Sequence, residues 1–493
     1  MPPPDHRRRR PLALALALVA AVVVVVVVVL ATRGDDRRVV PGGAPSGEQT
    51  DPLAYDPDRR AEFERRAARG LSHVLFAKSP GGATATARRT AAWRGEVESA
   101  ASAAGVDPDL LEALVFVESA GRPEVIADDD PEAASGLTQI LAETAQNLLG
   151  MEVDLAASRR LTKRIARAER AGRVRAARRL RAQRRRVDER FDPRRALAGA
   201  GRYLEIARER FGRDDLAIAS YHMGIGNLER VARAYAGDAS ARVAELVRDE
   251  DLSYARLFFD TSPLLHRGAH RLLASFGDDS STYLWRILGA REIMRLHRES
   301  PGELARLEAL HAQKNSAEEV LHPEEGTEVF ADPGAVDAER DSGDLTELPD
   351  DPERVHFRID SQMGELARRV DAKPELYRAL RPEALALLTY LARGVEEVSG
   401  TAPLTITSTV RDARYQRVLG ARNREAARGY SLHTTGYAFD VLREYRSREQ
   451  ALAFQFWLDR LQAHDLIAWV REPAAIHVTV SSEAGRLSGV LPD

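Results

Sequence analysis

Residues 11–32 form an uninterrupted apolar run, PLALALALVAAVVVVVVVVLAT, near the start of the chain. A membrane-spanning helix needs about 20 apolar residues, so this run has the required length. In a bilayer the backbone must satisfy its own hydrogen bonds, which favours a helix. A basic tail at 1–10, with arginines at 7–10, precedes the run and favours a cytoplasmic N-terminus. We therefore predict a single-pass transmembrane anchor, with a cleaved signal segment as the alternative.

The remaining chain divides by composition into linkers and domains. Its 493 residues predict two or three domains. Residues 33–60 are polar and rich in Gly, Pro and Asp, which indicates a linker. Residues 61–315 carry apolar positions at helical spacing and predict an all-α domain. Residues 316–354 hold fourteen acidic residues and four prolines, which predicts a second, acidic linker. A small α+β domain at 355–485 and a tail at 486–493 complete the chain.

Charge and cysteine content exclude several classes of site. The chain has no cysteine, so disulfides, thiolate zinc sites and cysteine nucleophiles are excluded, and any metal must bind His and carboxylates. A basic insertion at 158–190 carries fifteen Lys and Arg against three acidic residues. It lacks interleaved aromatic residues and follows the predicted anchor, so no nucleic acid partner is expected. A solvated helical pair is the simplest interpretation; anionic lipid headgroups or the acidic linker are alternative partners.

The stretch GVDPDLLEALVFVESAGRP, residues 105–123, predicts a helix with clear ends. Asp107 can cap its start, Pro108 suits the first helical position, and Gly121 ends it. Glu118 then lies in the last turn, where the helix dipole and apolar neighbours disfavour ionisation. A general acid requires such a carboxyl group, although an ordinary solvent-facing glutamate would also fit these residues alone.

Two further segments follow in a fixed order, GLTQI at 136–140 and SYHMGIGN at 220–227. Together with Glu118 and Ser119 they resemble the soluble lytic transglycosylase family, which has a lysozyme-like helical fold and cleaves peptidoglycan. The resemblance implies that Glu118 protonates the glycosidic oxygen between N-acetylmuramic acid and N-acetylglucosamine. Glu118 would then act as base toward the C6 hydroxyl and leave a 1,6-anhydro sugar. The residues assigned to substrate binding are Ser119, Gln139, Tyr221, His222 and Asn227.

The sequence departs from this family in two places near the site. His222 and Met223 replace the usual Asn and Ala, and the loop ADDDPEAAS, 127–135, is longer and acidic. One of the aspartates at 128–130 could supply a second carboxylate and give a paired-carboxylate hydrolase. A solvated acidic loop is the other interpretation.

A second candidate site lies near the end of the chain. The stretch SLHTTGYAFDV, 431–441, contains His433 and Asp440 on either side of Gly436, and His477 lies on the predicted strand AIHVTV. A water-activating zinc site needs about three His or carboxylate ligands and an open position. A turn at Gly436 would let His433 and Asp440 converge.

This pattern resembles the zinc D-alanyl-D-alanine carboxypeptidase superfamily, which includes hedgehog-type domains, over residues 356–485. The resemblance implies zinc as cofactor, with ligands His433, Asp440 and His477. It also implies that Glu472 is the base and that Arg411 contacts the substrate carboxylate or the oxyanion. Glu472 stands five residues before His477, farther than the family's usual glutamate, and the family's tryptophan beside the last His is absent.

Together these features predict a bifunctional enzyme in the periplasm, anchored in the bacterial inner membrane. Its partners would be peptidoglycan glycan strands and stem peptides. The alternatives are a transglycosylase with a degenerate, peptidoglycan-binding peptidase-like domain, and a non-catalytic cell-wall-binding scaffold.

Overall fold

The computed structural model describes residues 51–312, 317–422 and 429–490. The predicted anchor at 11–32, and the predicted linker up to residue 50, lie outside these residues. Among the described residues no helix is both long and apolar enough to cross a membrane. The described chain is mostly helical and forms two modules.

The helical module comprises residues 51–312. Its helices α1 to α17 are Arg60–Gly70, His73–Ala77, Ala83–Ala91, Arg94–Ala104, Pro108–Ser119, Ala142–Asn147, Leu155–Arg170, Val174–Arg185, Pro193–Phe211, Asp214–Met223, Ile225–Ala236, Val243–Asp249, Tyr254–Phe259, Arg267–Ser275, Asp278–Ser281, Tyr283–Glu299 and Pro301–Ala312. Helix α16 packs against α5 and α1, and α9 packs against α4 and α10. Their apolar faces share one continuous core, in which Trp285 is fully buried.

Helix α5 begins as predicted. The Asp107 carboxylate accepts a hydrogen bond from the Asp109 backbone N–H, and Pro108 occupies the first turn. The helix ends at Ser119, two residues before Gly121, because Ala120 already adopts a left-handed conformation with φ of 53°. Glu118 therefore lies in the last turn of α5, as the sequence predicted.

The basic insertion folds as a helical hairpin of α7 and α8 with a small apolar core of its own, in which Leu161, Ile165 and Leu180 are buried. Two of its arginines are not solvated. Arg184 is buried and lies 3.6 Å above the ring of Phe191, and the Arg190 side chain is fully buried in an ion pair. The interpretation as a solvated pair therefore holds only for the outer faces of the hairpin.

The α+β module comprises the described residues from 317 to 490. Helices α18 to α23 are Glu318–Leu321, Pro333–Ser342, Pro352–Val355, Pro382–Ser399, Ala413–Gly420 and Arg448–Ala463. Strands β1 to β7 are Thr346–Glu347, Phe357–Ile359, Ala379–Leu380, Leu404–Ser408, Ala438–Leu442, Ile467–Arg471 and Ala475–Val480. Five of them form a sheet in the order β2-β4-β5-β7-β6, in which only the β2–β4 pair is parallel.

The alternation of side chains along β5 separates the core from the candidate site. Phe439 and Val441 point into the apolar core with helices α21 and α23, so Asp440 points to the opposite face of the sheet. In the antiparallel pairing of β5 with β7, Asp440 lies directly opposite His477. Directly opposed residues share a face and come within contact distance, which brings these two side chains together.

Of the segment 316–354, predicted to be an acidic linker, the described residues 317–354 are folded onto the α+β module. Its apolar residues Phe330, Val336, Leu345 and Leu348 are buried, and β1 pairs with β3. The prediction of a linker from composition was wrong. Most of the acidic residues face outward, while a few widely spaced apolar residues pack into the core. Likewise Leu53, within the predicted first linker at 33–60, packs into the core of the α+β module.

The two modules are in direct contact. The buried Arg460 guanidinium of α23 donates to the carbonyl oxygens of Phe259 at 2.7 Å and Thr261 at 2.8 Å. The Gln462 side chain donates to the Gly70 carbonyl at 3.2 Å. Helix α1 of the helical module therefore packs on α23, where the sequence predicted separate domains.

Candidate functional sites

Glu118 is a desolvated carboxyl group at the C-terminal end of α5. The Tyr283 hydroxyl donates a hydrogen bond of 2.5 Å to its Oε1 atom. Burial raises the pKa of Glu118 to about 7, although the hydrogen bond from Tyr283 acts in the opposite direction. A large fraction of these carboxyl groups therefore carries a proton at neutral pH, as a proton donor requires.

Aromatic rings form the surroundings of this carboxyl group. Tyr221 and Tyr283 lie nearly parallel with ring centroids 6.4 Å apart, and Tyr203 meets Tyr221 edge-on at 5.0 Å. The ring of His222 stacks on Tyr283 at 5.3 Å. The sequence did not predict the contact of Tyr283 with Glu118, because Tyr283 belongs to no motif and follows Glu118 by 165 residues.

Hydrogen bonds from the buried Arg190 side chain hold the loop that carries Gln139. The Arg190 guanidinium donates to the carbonyls of Ala133 and Ile140, both at 3.1 Å. Gly136 has φ of +84°, and a Cβ atom there would lie 1.8 Å from the Arg190 carbonyl oxygen, so only glycine fits. Gln139 itself has a positive φ of 49°, and its amide donates to the carbonyl of Gly136 at 2.8 Å. The loop shape is thus set by tertiary contacts.

The predicted sugar-binding residues do not all face the same space. The Tyr221 hydroxyl donates to the Thr138 carbonyl at 2.9 Å, which joins this ring to the Gln139 loop. Ser119 is 2 % exposed and its hydroxyl donates to the Val115 carbonyl, so it faces the helix interior. Asn227 donates to the Met223 carbonyl at 2.7 Å within its own turn.

His222 is exposed, and its Nδ1 atom lies 3.0 Å from the Ser280 hydroxyl. Its neighbours remove part of the water around the ring, and this partial desolvation lowers the pKa of His222. Together with the stacking on Tyr283, this favours a neutral ring at the edge of the Glu118 site.

The acidic loop offers no second desolvated carboxyl group. Asp128, Asp129 and Asp130 are exposed, and Asp130 forms an ion pair with Arg159 at 2.9 Å. A hydrogen bond from the Glu132 backbone and then the Arg159 guanidinium lower the pKa of Asp130. Asp130 is therefore an ionised surface group, in contrast to Glu118.

The second site is a buried cluster on the sheet of the α+β module. His433 precedes β5 in a short 3₁₀ turn at Leu432–Thr435, which Gly436 ends with φ of +80°. One ligand atom each from His433, Asp440 and His477 lie within 4.8 Å of one another. His433 Nε2 is 3.2 Å from Asp440 Oδ2, and His477 Nδ1 is 2.8 Å from Asp440 Oδ1.

The surroundings of this cluster select which atoms face its centre. His433 Nδ1 lies 2.7 Å from the Thr409 carbonyl oxygen, so Nδ1 carries the proton and Nε2 is left as the inward lone pair. Burial, followed by the Arg411 charge, lowers the pKa of His433 to about 4. For His477, burial lowers the pKa, but hydrogen bonds to Asp440 and Glu318 outweigh it and raise the pKa to about 10.

Arg411 lies beside the cluster. Its Nη2 atom is 3.2 Å from Asp440 Oδ2, and its other contacts are the Ser408 hydroxyl and the Gln416 side chain. These contacts fix one edge of the guanidinium against the cluster.

Glu472 lies in the turn between β6 and β7, where its backbone N–H donates to the Ala475 carbonyl at 3.0 Å. Its carboxyl group is partly buried, and burial, followed by the negative charge of Asp440, raises its pKa.

Glu318 was missed by the sequence analysis. It is 5 % exposed, and its Oε2 atom lies 3.1 Å from His477 Nε2. No motif singles it out, because Glu318 belongs to an acidic run and precedes His477 by more than 150 residues.

The donor set fits a zinc ion. Two imidazoles and one carboxylate, all buried, are the ligand types of catalytic zinc sites without cysteine. The hydrogen bond from His433 Nδ1 to a backbone carbonyl is a typical support for a metal-binding histidine. His433 Nε2 and His477 Nδ1 both lie within hydrogen-bond distance of the Asp440 carboxylate, so the three groups are close enough to bind a single ion.

Comparison with known families finds a match in the helical module. Residues 96–162 and 173–243 match the family model described as "Transglycosylase SLT domain". The match lies within the helical module and includes Glu118, Gln139, Tyr221 and Asn227. Its unmatched stretch, 163–172, is shorter than the predicted insertion at 158–190. The mostly helical fold agrees with a lysozyme-like transglycosylase domain that acts on peptidoglycan. No curated protein matches the chain.

Proposed function

We propose that the chain cleaves peptidoglycan at two sites, with a lytic transglycosylase in the helical module and a zinc peptidase in the α+β module. The observation that carries the first activity is the Glu118 carboxyl group, which burial and one tyrosine hydroxyl hold near a pKa of 7 inside a matched transglycosylase domain. The buried cluster of two histidines and an aspartate supports the second.

In the first reaction a single carboxyl group performs both proton transfers. Protonated Glu118 donates its proton to the glycosidic oxygen as the bond from C1 of N-acetylmuramic acid to that oxygen breaks. The resulting carboxylate then takes the proton from the C6 hydroxyl of the same sugar, whose oxygen bonds to C1. Glu118 ends protonated, water is not consumed, and the product carries a 1,6-anhydro ring.

This account is tested by digestion of purified peptidoglycan sacculi and mass analysis of the fragments. The wild-type chain should release 1,6-anhydromuropeptides, which are lighter by one water than hydrolysed fragments. Glu118→Gln keeps the shape but has no proton to donate, and should abolish these products.

Asp130→Asn is the matched control for this experiment, because Asp130 is the exposed carboxylate of the alternative mechanism. It should leave the anhydro products unchanged. Hydrolysed fragments that disappear in Asp130→Asn would instead establish a paired-carboxylate hydrolase.

In the second site His433, Asp440 and His477 would hold the metal. Zinc, when bound there, would act as a Lewis acid toward the scissile carbonyl and lower the pKa of a water molecule. Glu472, with its raised pKa, is the candidate base that accepts a proton. Arg411, held against the cluster, would bind the carboxylate of a stem peptide or the developing oxyanion.

Metal analysis and peptide digestion test this second proposal. The wild-type chain should bind about one zinc, since the cluster offers one set of three ligands. Replacement of His433, Asp440 or His477 by Ala should abolish zinc binding. Glu472→Gln should retain zinc and lose cleavage of stem peptides. A wild-type chain that binds no zinc would leave this module as a degenerate, peptidoglycan-binding domain.

Both proposed substrates lie outside the cytoplasm, so we place both sites in the periplasm, attached to the inner membrane through residues 11–32. Deletion of residues 1–32 should move the protein from the membrane fraction to the cytosolic fraction and remove its action on the cell wall. Unchanged membrane association of the truncated chain would refute the anchor.

A further inference from the structure

Glu318 makes a contact for which neither proposed reaction accounts. This buried carboxylate belongs to α18, which lies on the segment that joins the two modules. Its Oε2 atom lies 3.1 Å from His477 Nε2, and the Thr479 hydroxyl lies 3.3 Å from the same nitrogen. A buried carboxylate needs a partner to compensate for lost hydration, and His477 supplies that partner.

The two ring nitrogens of His477 face in different directions. Nδ1 lies 2.8 Å from Asp440 Oδ1, on the side where His433 Nε2 also points. Nε2 lies on the far side of the ring, against Glu318. In a zinc-bound state Nδ1 would be the ligand atom, and Nε2 would carry the proton and donate it to Glu318. Metal-binding histidines commonly donate their second N–H to a carboxylate in this way.

The segment that carries Glu318 is fastened to the same strand as His477. His322, four residues after Glu318, has its Nε2 atom 2.6 Å from the Val480 carbonyl at the end of β7. The ring of His322 stacks on Tyr437 with centroids 4.2 Å apart, and the Tyr430 hydroxyl donates to the His322 carbonyl at 2.9 Å. These contacts hold α18 in register with β7, so the position of Glu318 is fixed.

We propose that Glu318 is the positioning residue of the metal centre: its carboxylate accepts the Nε2 proton of His477 and thereby presents Nδ1 to the zinc. This inference rests on the proposed zinc site. It also joins the two modules functionally, because α18 packs on α17, the last helix of the helical module. The zinc ligand His477 is then oriented by Glu318, which lies on the segment that connects the two modules.

The experiment measures the zinc dissociation constant of the full chain by competition with a chelator of known affinity. Glu318→Gln keeps a neutral acceptor and should weaken zinc binding about tenfold, and Glu318→Ala should weaken it up to about 100-fold. Glu396→Gln is the matched control. It removes the carboxylate from another Glu–His pair of the same module, with His356, which contacts none of the proposed ligands. Glu396→Gln should leave the zinc affinity unchanged.

The outcomes separate this inference from the proposed function. If the wild-type chain binds zinc and both Glu318 variants bind it equally well, Glu318 has no positioning role, while the zinc site stands. If the wild-type chain binds no zinc, the proposed site and this inference both fail. X-ray absorption spectra of the zinc-loaded wild type and Glu318→Ala should show the same number of protein ligands. The loss of one oxygen ligand in Glu318→Ala, with both histidine nitrogens retained, would make Glu318 a direct ligand and overturn the positioning role.

Discussion

Removal of the Tyr283 hydroxyl should move the pH dependence of glycan cleavage to higher pH. In the structure this hydroxyl donates to Glu118 at 2.5 Å and stabilises the ionised carboxylate against the effect of burial. A hydrogen bond to a charged group contributes about 1.5–3 kcal/mol. Since a change of one in the pKa corresponds to about 1.4 kcal/mol, Tyr283→Phe should raise the pKa of Glu118 by about 1–2.

The sign of the effect follows from the role of Glu118. A general acid must be protonated, so activity is full below its pKa and is lost as the pH rises through it. In the wild type this loss should centre near pH 7, because the pKa of Glu118 is about 7. In Tyr283→Phe it should centre near pH 8–9, about 1–2 pH units higher. The measured quantity is the pH at the midpoint of the descending limb, and the height of the plateau is not compared.

The assay follows the initial release of anhydromuropeptides at low substrate concentration, where the pH profile reports the free enzyme. Tyr254→Phe is the control, because it removes a buried hydroxyl that donates to the Ser281 carbonyl at 2.7 Å and does not contact Glu118. Its limb should coincide with that of the wild type. If the descending limb of Tyr283→Phe has its midpoint at the wild-type pH or at a lower pH, Glu118 is not the acid whose pKa Tyr283 lowers, and the assignment is refuted.

Two predictions concern the supports of the sites, and urea unfolding measures both. Arg190→Ala leaves Asp188 buried without its cationic partner and should lower the free energy of unfolding by about 3–5 kcal/mol. Arg195 is exposed and pairs with Glu189 at 3.5 Å, so Arg195→Ala should lower it by less than about 1 kcal/mol. Equal losses would contradict the stabilising role of the buried pair. Phe330→Ala removes a ring that is 1 % exposed and should lower the free energy of unfolding by about 3–5 kcal/mol. A change within about 0.5 kcal/mol would instead support the interpretation of this segment as a linker.

The sequence alone was sufficient to predict those features that depend on interactions between residues close together in the chain. The cap at Asp107 and the proline after it fixed the start of α5, and therefore the place of Glu118 in its last turn. The predicted strand AIHVTV corresponds to β7. Gly436 turns the chain between His433 and Asp440 as predicted, because only a residue without Cβ adopts its φ of +80° freely.

Tertiary packing decided what surrounds each site. Tyr283 reaches Glu118 because α16 packs on α5, and Glu318 reaches His477 because α18 is fastened to the end of β7. The acidic composition of 316–354 concealed a folded segment, because average charge does not reveal which few apolar residues are buried. Local rules act over a few residues, whereas these contacts join residues more than 150 positions apart. The sequence therefore determined the chemical groups and their short-range geometry, and only the packing of whole elements determined the partners that set their protonation and orientation.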